Sequence, residues 1–600
     1  MTPKTINAIF IENARQFPDD VIVRYKQEKG GDFVDLTWAG LAEAALSFAA
    51  GLSRLGLVAG DRLAILAFNR IEWIVADLGT LLAGGVDVPI YHTNTAEQCR
   101  YVLGDAGVRF VVVEDEVQLE KVLAFAHALP DLERIIVMEG AVPENDPRVM
   151  TFGAVVDLGK GAEAALFQTI EEKALGASPE SLATIVYTSG TTGPPKGCMV
   201  SHGNAGFVLD SIDRMHKIES RGNLSLLVLP LSHFYPRVSG YYFNLFKNIP
   251  LAIGESIDTL GADIQAVRPT YFCCVPRILE KVYARIAGTA RSGGWLSRAI
   301  FNFAMKAGKA RVACLRIGWQ VPLLLQLELG IADALVFTKI RKRLGGRLSF
   351  AVSAGAPLSA EVGEFIHSIG IRVIEFYGLS ETLGGTMTTL DACRYGTVGK
   401  AMPGFEVSLA EDGEILLRGN NFMGYWNHPE KTAEAIVDGW CRTGDIGAWE
   451  NGYLKITDRK KDLIITSGGK NISPQNLENL VINRIPLVSN AMVYGDSKKY
   501  LTVLLTLDPA EVEAFAKKKE LAWDSYEALT QSPEIRAAVL KDMDQINAGL
   551  AQYETMKKFF ILPREFSLEE DEVTPTLKLK RKAVQKKYRD RMEALYESDF

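Results

Sequence analysis

Between Tyr187 and Asn204 the chain reads YTSGTTGPPKGCMVSHGN, where Thr188, Ser189, Thr191 and Thr192 supply hydroxyls, Gly190, Gly193 and Gly197 supply unhindered backbone, and Lys196 supplies a cation. Such a run suits a phosphate. Hydroxyls and bare backbone N–H groups donate to its oxygens, and the ammonium balances its charge. The preceding Leu182-Ala183-Thr184-Ile185-Val186-Tyr187 is apolar and β-branched and predicts a buried strand. Beyond the run, Ser201 is placed to cap a helix carrying Phe207 and Ile212. The expected arrangement is a strand that passes through a Gly-rich loop into a helix start. It is not the phosphate loop ending in Gly-Lys-Ser/Thr, because Lys196 lies between Pro195 and Gly197.

Further groups with usable chemistry recur along the chain. SAGAP (353–357) and FYGLSET (376–382) each follow an apolar run; Tyr377 offers a ring that can stack on a planar base, although an isolated tyrosine is more often core. Glu381 is a single loop carboxylate, of the oxygen type that Mg²⁺ takes, and alone it reads equally as a solvated side chain. In GWCRTGDIG (439–447), Asp445 can accept from two neighbouring hydroxyls or simply cap a turn. DRKKD (458–462) reads as an exposed charged interruption between two strand-like runs, and TPTLKLKR (574–581) holds several cations.

Positioning these groups requires more than one core. A length of 600 residues implies about four units by the rough 150-residue prior. A formal charge of −7 argues against general nucleic-acid binding. Seven cysteines without CxxC spacing suggest reduced, mostly buried thiols rather than a metal site or disulfide frame. The opening MTPKTINAIFIENARQ lacks a signal-peptide core, and the apolar stretch 321–337 carries Gln326, Glu328 and Asp333, so a cytoplasmic protein without a spanning helix is expected.

From Thr37 to Glu139, helical and strand periods alternate, which predicts a parallel sheet covered on both faces. Residues 141–178 read as a connection. Three strands, 224–230, 348–352 and 372–376, each lead into a loop, and open parallel sheets gather such loops at the carboxyl ends of their strands. From 399 to 457 hairpin signals at Asp412-Gly413 and Asn451-Gly452 predict a small antiparallel β subdomain, followed by a smaller α+β domain. The fold class expected is therefore α/β.

In order and spacing these motifs resemble those of the AMP-forming adenylating enzymes, the group of acyl-CoA synthetases, luciferases and peptide-synthetase adenylation domains. The resemblance covers most of the chain. It implies an N-terminal adenylation domain at 1–457, a hinge at 458–462 near Lys461, and a mobile C-terminal lid domain at 463–600. It implies that residues 188–193 and Lys196 bind ATP phosphates, that Gly355, Ala356, Tyr377 and Gly378 surround adenine, and that Ser380 meets a phosphate. It implies further that Glu381 holds Mg²⁺ and that Asp445 and Arg459 hold the ribose. Lys578 is implied as the lysine that touches the reacting carboxylate and α-phosphate, although Thr576-Leu577 replaces the more usual Ser-Gly before it. His233, in PLSHFYPR, resembles a position near the acyl site, and a lone histidine reads equally as structural. The loop Ser467-Gly468-Gly469-Lys470 is implied to serve the second step, in which CoA displaces AMP.

Kinship in DRKKDLIITSGGKNISPQNLE and in the segment 279–344 points to bacterial long-chain fatty acyl-CoA synthetases. Expected partners are fatty acid, ATP and CoA, with no nucleic acid; a homodimer and a peripheral membrane contact through the basic, aromatic stretch 291–337 are further expectations. Two other readings keep the same first step: transfer of the acyl-AMP to an acyl carrier protein, or activation of a medium-chain or aryl acid. An inactive lipid binder would have lost the polar groups that are present here.

Overall fold

Thr37 stops one strand and starts the next helix: its side chain accepts from Gly40 N–H, and Trp38–Arg54 then buries Leu41, Ala45, Phe48 and Leu52 on one face. Gly56 ends it at φ +94°, a conformation that costs glycine nothing. The same strand and helix alternation continues through Arg62–Leu66, Ile71–Leu82 and Val86–Ile90, as the periodicity predicts. The computed structural model describes residues 3–143, 146–188, 194–466, 471–574 and 579–597. Ser189, Gly190, Thr191, Thr192, Gly193, Gly468, Gly469, Lys470 and Lys578 lie outside the described residues.

The chain divides into two compact units: Met1–Pro276 with Ala299–Ser408 and Leu416–Thr443, and Arg277–Arg298 with Leu409–Ile415 and Gly444–Phe600. This division does not fall at 458–462. The hairpin that begins at Gly444 folds onto Leu409–Ile415, with Gly447 N–H donating to Gly413 O at 3.0 Å and Lys460 paired with Glu414 at 3.1 Å. A hinge at 458–462 remains a proposal.

The larger unit holds two mostly parallel sheets. One runs, in spatial order, Gly424–Tyr425, Lys196–Ser201, Leu182–Thr188, Val86–Ile90, Arg62–Leu66, Phe110–Val113, Arg134–Val137 and Val149–Thr151. The other has nine strands, whose parallel centre includes Arg372–Gly378, Phe350–Ala354, Tyr271–Cys274 and Ser225–Leu227. Asn69 ties them: its amide donates to Leu229 O at 2.8 Å and accepts from Leu231 N–H at 2.8 Å. Residues 141–178 are not a plain connection, since they form the edge strand Val149–Thr151 and helices Phe152–Lys160 and Ala164–Leu175. Val155 and Phe152 pack behind the helix Trp38–Arg54, and short apolar spacing after a Pro-rich start had hidden that role.

The smaller unit is built on a sheet in which Leu501–Leu507 pairs antiparallel with Val488–Tyr494 and parallel with Met556–Ile561. The hairpin Trp440–Glu450 to Tyr453–Arg459 turns at Asn451 and Gly452, both at positive φ (51° and 78°), as a twist-matched two-residue turn requires.

A fully buried ionic group lies inside the larger unit. Arg237 pairs with Asp87 at 2.5 Å, Thr184 donates to the same carboxylate at 3.2 Å, and Tyr242 donates to Asp77 at 3.0 Å. Burial, then the neighbouring Asp87, pushes Asp77 up to about 7, against the pull of Arg237. Removing one partner of such a group strands charge in a dry interior. Arg237→Met should therefore lower folding stability by about 3–5 kcal/mol, read as a fall in urea midpoint. Thr184→Val, which removes one neutral donor, should cost about 1 kcal/mol. Burial favours the protonated carboxyls, so stability from them is present at low pH and is lost as pH rises toward about 7; the Arg237→Met deficit should widen in that direction. An unchanged midpoint for Arg237→Met would show that the ion group stabilises nothing.

Candidate active site

The Gly-rich loop joins two antiparallel strands. Thr188 faces Lys196 at the open end of the pair Leu182–Thr188 and Lys196–Ser201. The expected direct passage into a helix is thus corrected: Cys198-Met199-Val200 form a strand first, and Ser201 then caps His202–His216 in a reciprocal capping box with Asn204. The apolar Cys-Met-Val run between two hydroxyl-rich stretches carries the strand signal. The helix start therefore stands one strand away from the loop.

At the root of that loop, groups from both sheets meet. The strand Gly424–Tyr425 pairs with Lys196–Ser201, placing Tyr425 opposite Cys198. The Tyr425 hydroxyl donates to Glu381 Oε1 at 2.5 Å, and Lys196 Nζ lies 4.0 Å from the centre of the Tyr425 ring. Burial and then the Glu381 carboxylate hold the Tyr425 hydroxyl well above its ordinary range, so it stays a proton donor. Thr188 Oγ1 lies 3.9 Å from Cys198 Sγ and 3.5 Å from Lys196 O. Burial, followed by Glu381, raises the Cys198 thiol well above its usual range, which makes it packing rather than a nucleophile. Thr188, Lys196 and Glu381 are therefore neighbours, although 185 residues separate Lys196 from Glu381 in sequence.

Glu381 sits in a strained turn. Thr382 Oγ1 accepts from Leu379 N–H at 3.2 Å and donates to Gly384 O at 2.7 Å, and Leu383 takes φ +60° without being glycine. The turn is pinned from outside: Phe422 N–H donates to Glu381 O at 2.8 Å, and the Asn420 amide reaches Thr382 O at 3.4 Å while accepting from Asn204 at 2.9 Å. Ser380 is half-buried on the same turn. Tyr425, Asn420 and Asn204 were not legible in the sequence. They are uncharged, and the strand that carries Tyr425 is only two residues long.

The strands Phe350–Ala354 and Arg372–Gly378 are parallel neighbours, with Ala354 opposite Phe376. Their carboxyl ends expose Gly355, Ala356 and Gly378, while Tyr377 is 8% exposed. Gly355 stands at φ +86°, and a Cβ on Gly378 would come within 2.6 Å of Gly384 Cα, so both positions require glycine. The result is a nearly side-chain-free edge, suited to the approach of a flat base. His233 caps a short helical turn, its Nδ1 accepting from Tyr235 N–H at 3.1 Å, and the Tyr235 hydroxyl donates to Val352 O at 2.7 Å. The His233 segment is thereby held against the same strand ends.

Asp445 and Arg459 belong to the smaller unit. They face each other across its hairpin, Arg459 Nε to Asp445 Oδ1 at 3.0 Å, and Asp445 is buried. In that unit Lys580 pairs with Asp571, and Arg581 donates to both oxygens of buried Glu478 at 2.6 Å. These two cations, both just C-terminal to the expected lysine, are thus engaged in holding the unit together. Among the described residues, no group of three or more His, Cys, Asp or Glu side chains forms a metal cage. The donor chemistry at Glu381, a single carboxylate oriented by the Tyr425 hydroxyl, fits a hard cation that takes its remaining ligands from phosphate and water.

Residues 10–426 match the AMP-binding enzyme family, and 461–599 match the AMP-binding enzyme C-terminal domain. Long-chain-fatty-acid--CoA ligase FadD15 of Mycobacterium bovis is 36% identical over 99% of this chain and 97% of its own length. Long-chain-fatty-acid--CoA ligase ACSBG2 of Xenopus laevis is 32% identical over 100% of this chain and 84% of its own. Among solved structures, the anthranilate CoA ligase AuaEII in complex with anthranoyl-AMP superposes with TM-score 0.73 at 18% identity, covering 100% of this chain and 99% of that one. ATP-bound MatB from Rhodopseudomonas palustris does so with TM-score 0.69 at 24% identity, over 98% and 99%. The two structures share the fold, the relatives share the full length, and the chain is a member of the AMP-binding enzyme family.

Proposed function

We propose that this chain joins long-chain fatty acids to CoA in two steps, first forming acyl-AMP and pyrophosphate from ATP, then releasing AMP as the thiol attacks. The gathering of Thr188, Lys196 and Glu381 around Tyr425 and Cys198 carries this reading, together with full-length relatives named for the same activity. Attack of a carboxylate on the α-phosphate brings two anions together, so positioning and charge balance suffice without a protein nucleophile. Glu381 would hold Mg²⁺, the loop hydroxyls and Lys196 would grip the phosphates, and the glycine-lined strand ends would receive adenine. Asp445 and Arg459 would take the ribose. Lys578 would serve the first step and the loop 467–470 the second, as residues 463–600 reorient about 458–462.

Pyrophosphate release across fatty acids of increasing length, with and without CoA, tests the assignment. Release should rise with chain length, and acyl-CoA should accumulate only when CoA is present. Highest rates with aryl acids, or thioester formed on acyl carrier protein but not on CoA, would replace it with one of the other two readings.

A peripheral membrane contact fits the helix Leu323–Ala332 and its continuation. Leu323, Leu327, Ile331 and Leu335 recur every fourth residue on one face and are all exposed, and Lys339, Lys342 and Arg343 follow in the next turns. Among the described residues, no helix is long and apolar enough to cross a membrane.

A further inference from the structure

The helices 299–343 of the larger unit border an open, shallow cleft that contains none of the site residues described above. It measures about 690 Å³ and is lined by Arg311, Leu315, Trp319, Gln320, Val321, Gln326 and Leu329. That volume lies within the roughly 300–1,000 Å³ of ligand clefts. Its walls are mixed and open, with Leu315 45% and Trp319 69% exposed beside Gln320 and Gln326. Gln326 braces the turn below by donating to Val321 O at 2.8 Å.

The charge of the cleft is unbalanced. Arg311 donates to His367 O at 2.9 Å and to Ser368 O at 3.5 Å, both neutral carbonyls, and its buried Nε has no hydrogen-bond partner. The nearby Asp333 is paired with Arg341 at 2.7 Å and reaches Arg311 only through space, where the repulsion from Arg341 outweighs it. Arg311 therefore keeps a net positive charge, half-buried, against these walls. A half-buried cation held only by neutral carbonyls favours an anion, and a cleft with aromatic and aliphatic walls favours a hydrocarbon tail. One class of molecule carries both.

We propose that this cleft is a second, non-catalytic binding site for a long-chain fatty carboxylate, with the carboxylate at Arg311 and the chain along Leu315, Trp319 and Leu329. It rests on the reading that fatty acids are the substrate. Because the helix Leu323–Ala332 presents its leucines beside it, the site would hold substrate drawn from a lipid surface before transfer to the adenylation site.

The test uses the full chain with its adenylation site saturated by an unreactive acyl-sulfamoyl adenosine, titrated with hexadecanoate by calorimetry. One further equivalent of hexadecanoate should bind. Trp319→Ala and Arg311→Gln should each weaken that binding about tenfold, and hexadecanol should bind about tenfold more weakly than the acid, the ratio that 1.4 kcal/mol gives. Trp319→Ala alters an exposed side chain and tests the site even if Arg311→Gln perturbs the helix end it holds. Absence of the further equivalent, equal binding of the alcohol, or binding only to phosphatidylglycerol vesicles would overturn the proposal. Pyrophosphate exchange with fatty acid reads the adenylation site alone. Its loss would refute the substrate reading, whereas its persistence without the further equivalent would refute only the second site.

Discussion

Lys578→Ala is expected to lower acyl-AMP formation about a thousandfold while leaving thioester formation from supplied acyl-AMP within a few fold of wild type. The size follows from electrostatics. A unit charge about 4 Å from the developing negative charge contributes about 4 kcal/mol at an effective dielectric of about 20, and each 1.4 kcal/mol is tenfold in rate. The asymmetry follows from chemistry: only the first half-reaction drives a carboxylate against a phosphate, whereas the second displaces AMP with a thiol. The neighbouring cations provide the controls. Lys580 is paired with Asp571 and Arg581 with Glu478, so Lys580→Ala should leave both half-reactions nearly intact. Arg581→Ala should weaken the smaller unit by leaving the Glu478 carboxylate buried without its cation, a cost of about 3–5 kcal/mol. Single-turnover measurement of each half-reaction decides the matter. Equal loss of both with Lys578→Ala would end the division of labour between Lys578 and the loop 467–470.

The parts of this molecule that were legible in its sequence are those with a period or a cluster. Trp38–Arg54 announces itself by Thr37 and by Leu41, Ala45, Phe48 and Leu52, and the structure returns that helix with the same cap and face. The β hairpin at Asn451-Gly452 is set by a dipeptide that tolerates positive φ, and it forms there. What escaped was short or borrowed. Lys196–Ser201 lacks alternation because its centre is apolar on both faces, and Val149–Thr151 is a three-residue edge strand whose position depends on a sheet assembled elsewhere. The buried pairing of Arg237 with Asp87 was equally hidden. One residue sits in an aromatic stripe and the other in an apolar strand, 150 positions apart, and nothing local marks either as the partner of the other. In the site, the residues that bear charge were legible because Glu381 and Lys196 stand in distinctive runs. Tyr425, which touches both, was not.

That contact sets the largest effect expected in the larger unit. Glu381→Gln keeps the side-chain shape and the backbone bond from Phe422 N–H to Glu381 O, so the turn 379–383 should persist. It removes the negative charge that a Mg²⁺ ion would use, and loss of a carboxylate ligand should raise the Mg²⁺ concentration for half-maximal adenylation at least about tenfold. With the metal displaced, pyrophosphate leaves without its charge neutralised, and the rate of acyl-AMP formation at fixed Mg²⁺ should fall about a hundredfold or more. Tyr425→Phe separates orientation from charge. It deletes the 2.5 Å hydrogen bond to Oε1 and leaves the carboxylate, so its effect should stay within the roughly 1.5–3 kcal/mol of one charge-assisted hydrogen bond. The order of effects is the critical observation. If Tyr425→Phe costs as much as Glu381→Gln, or if Glu381→Gln leaves the Mg²⁺ dependence unmoved, Glu381 braces the turn and does not hold the metal. A Mg²⁺ titration of pyrophosphate release, run on both variants beside wild type, distinguishes these outcomes because a brace alters the rate at every Mg²⁺ concentration, whereas a ligand shifts the midpoint.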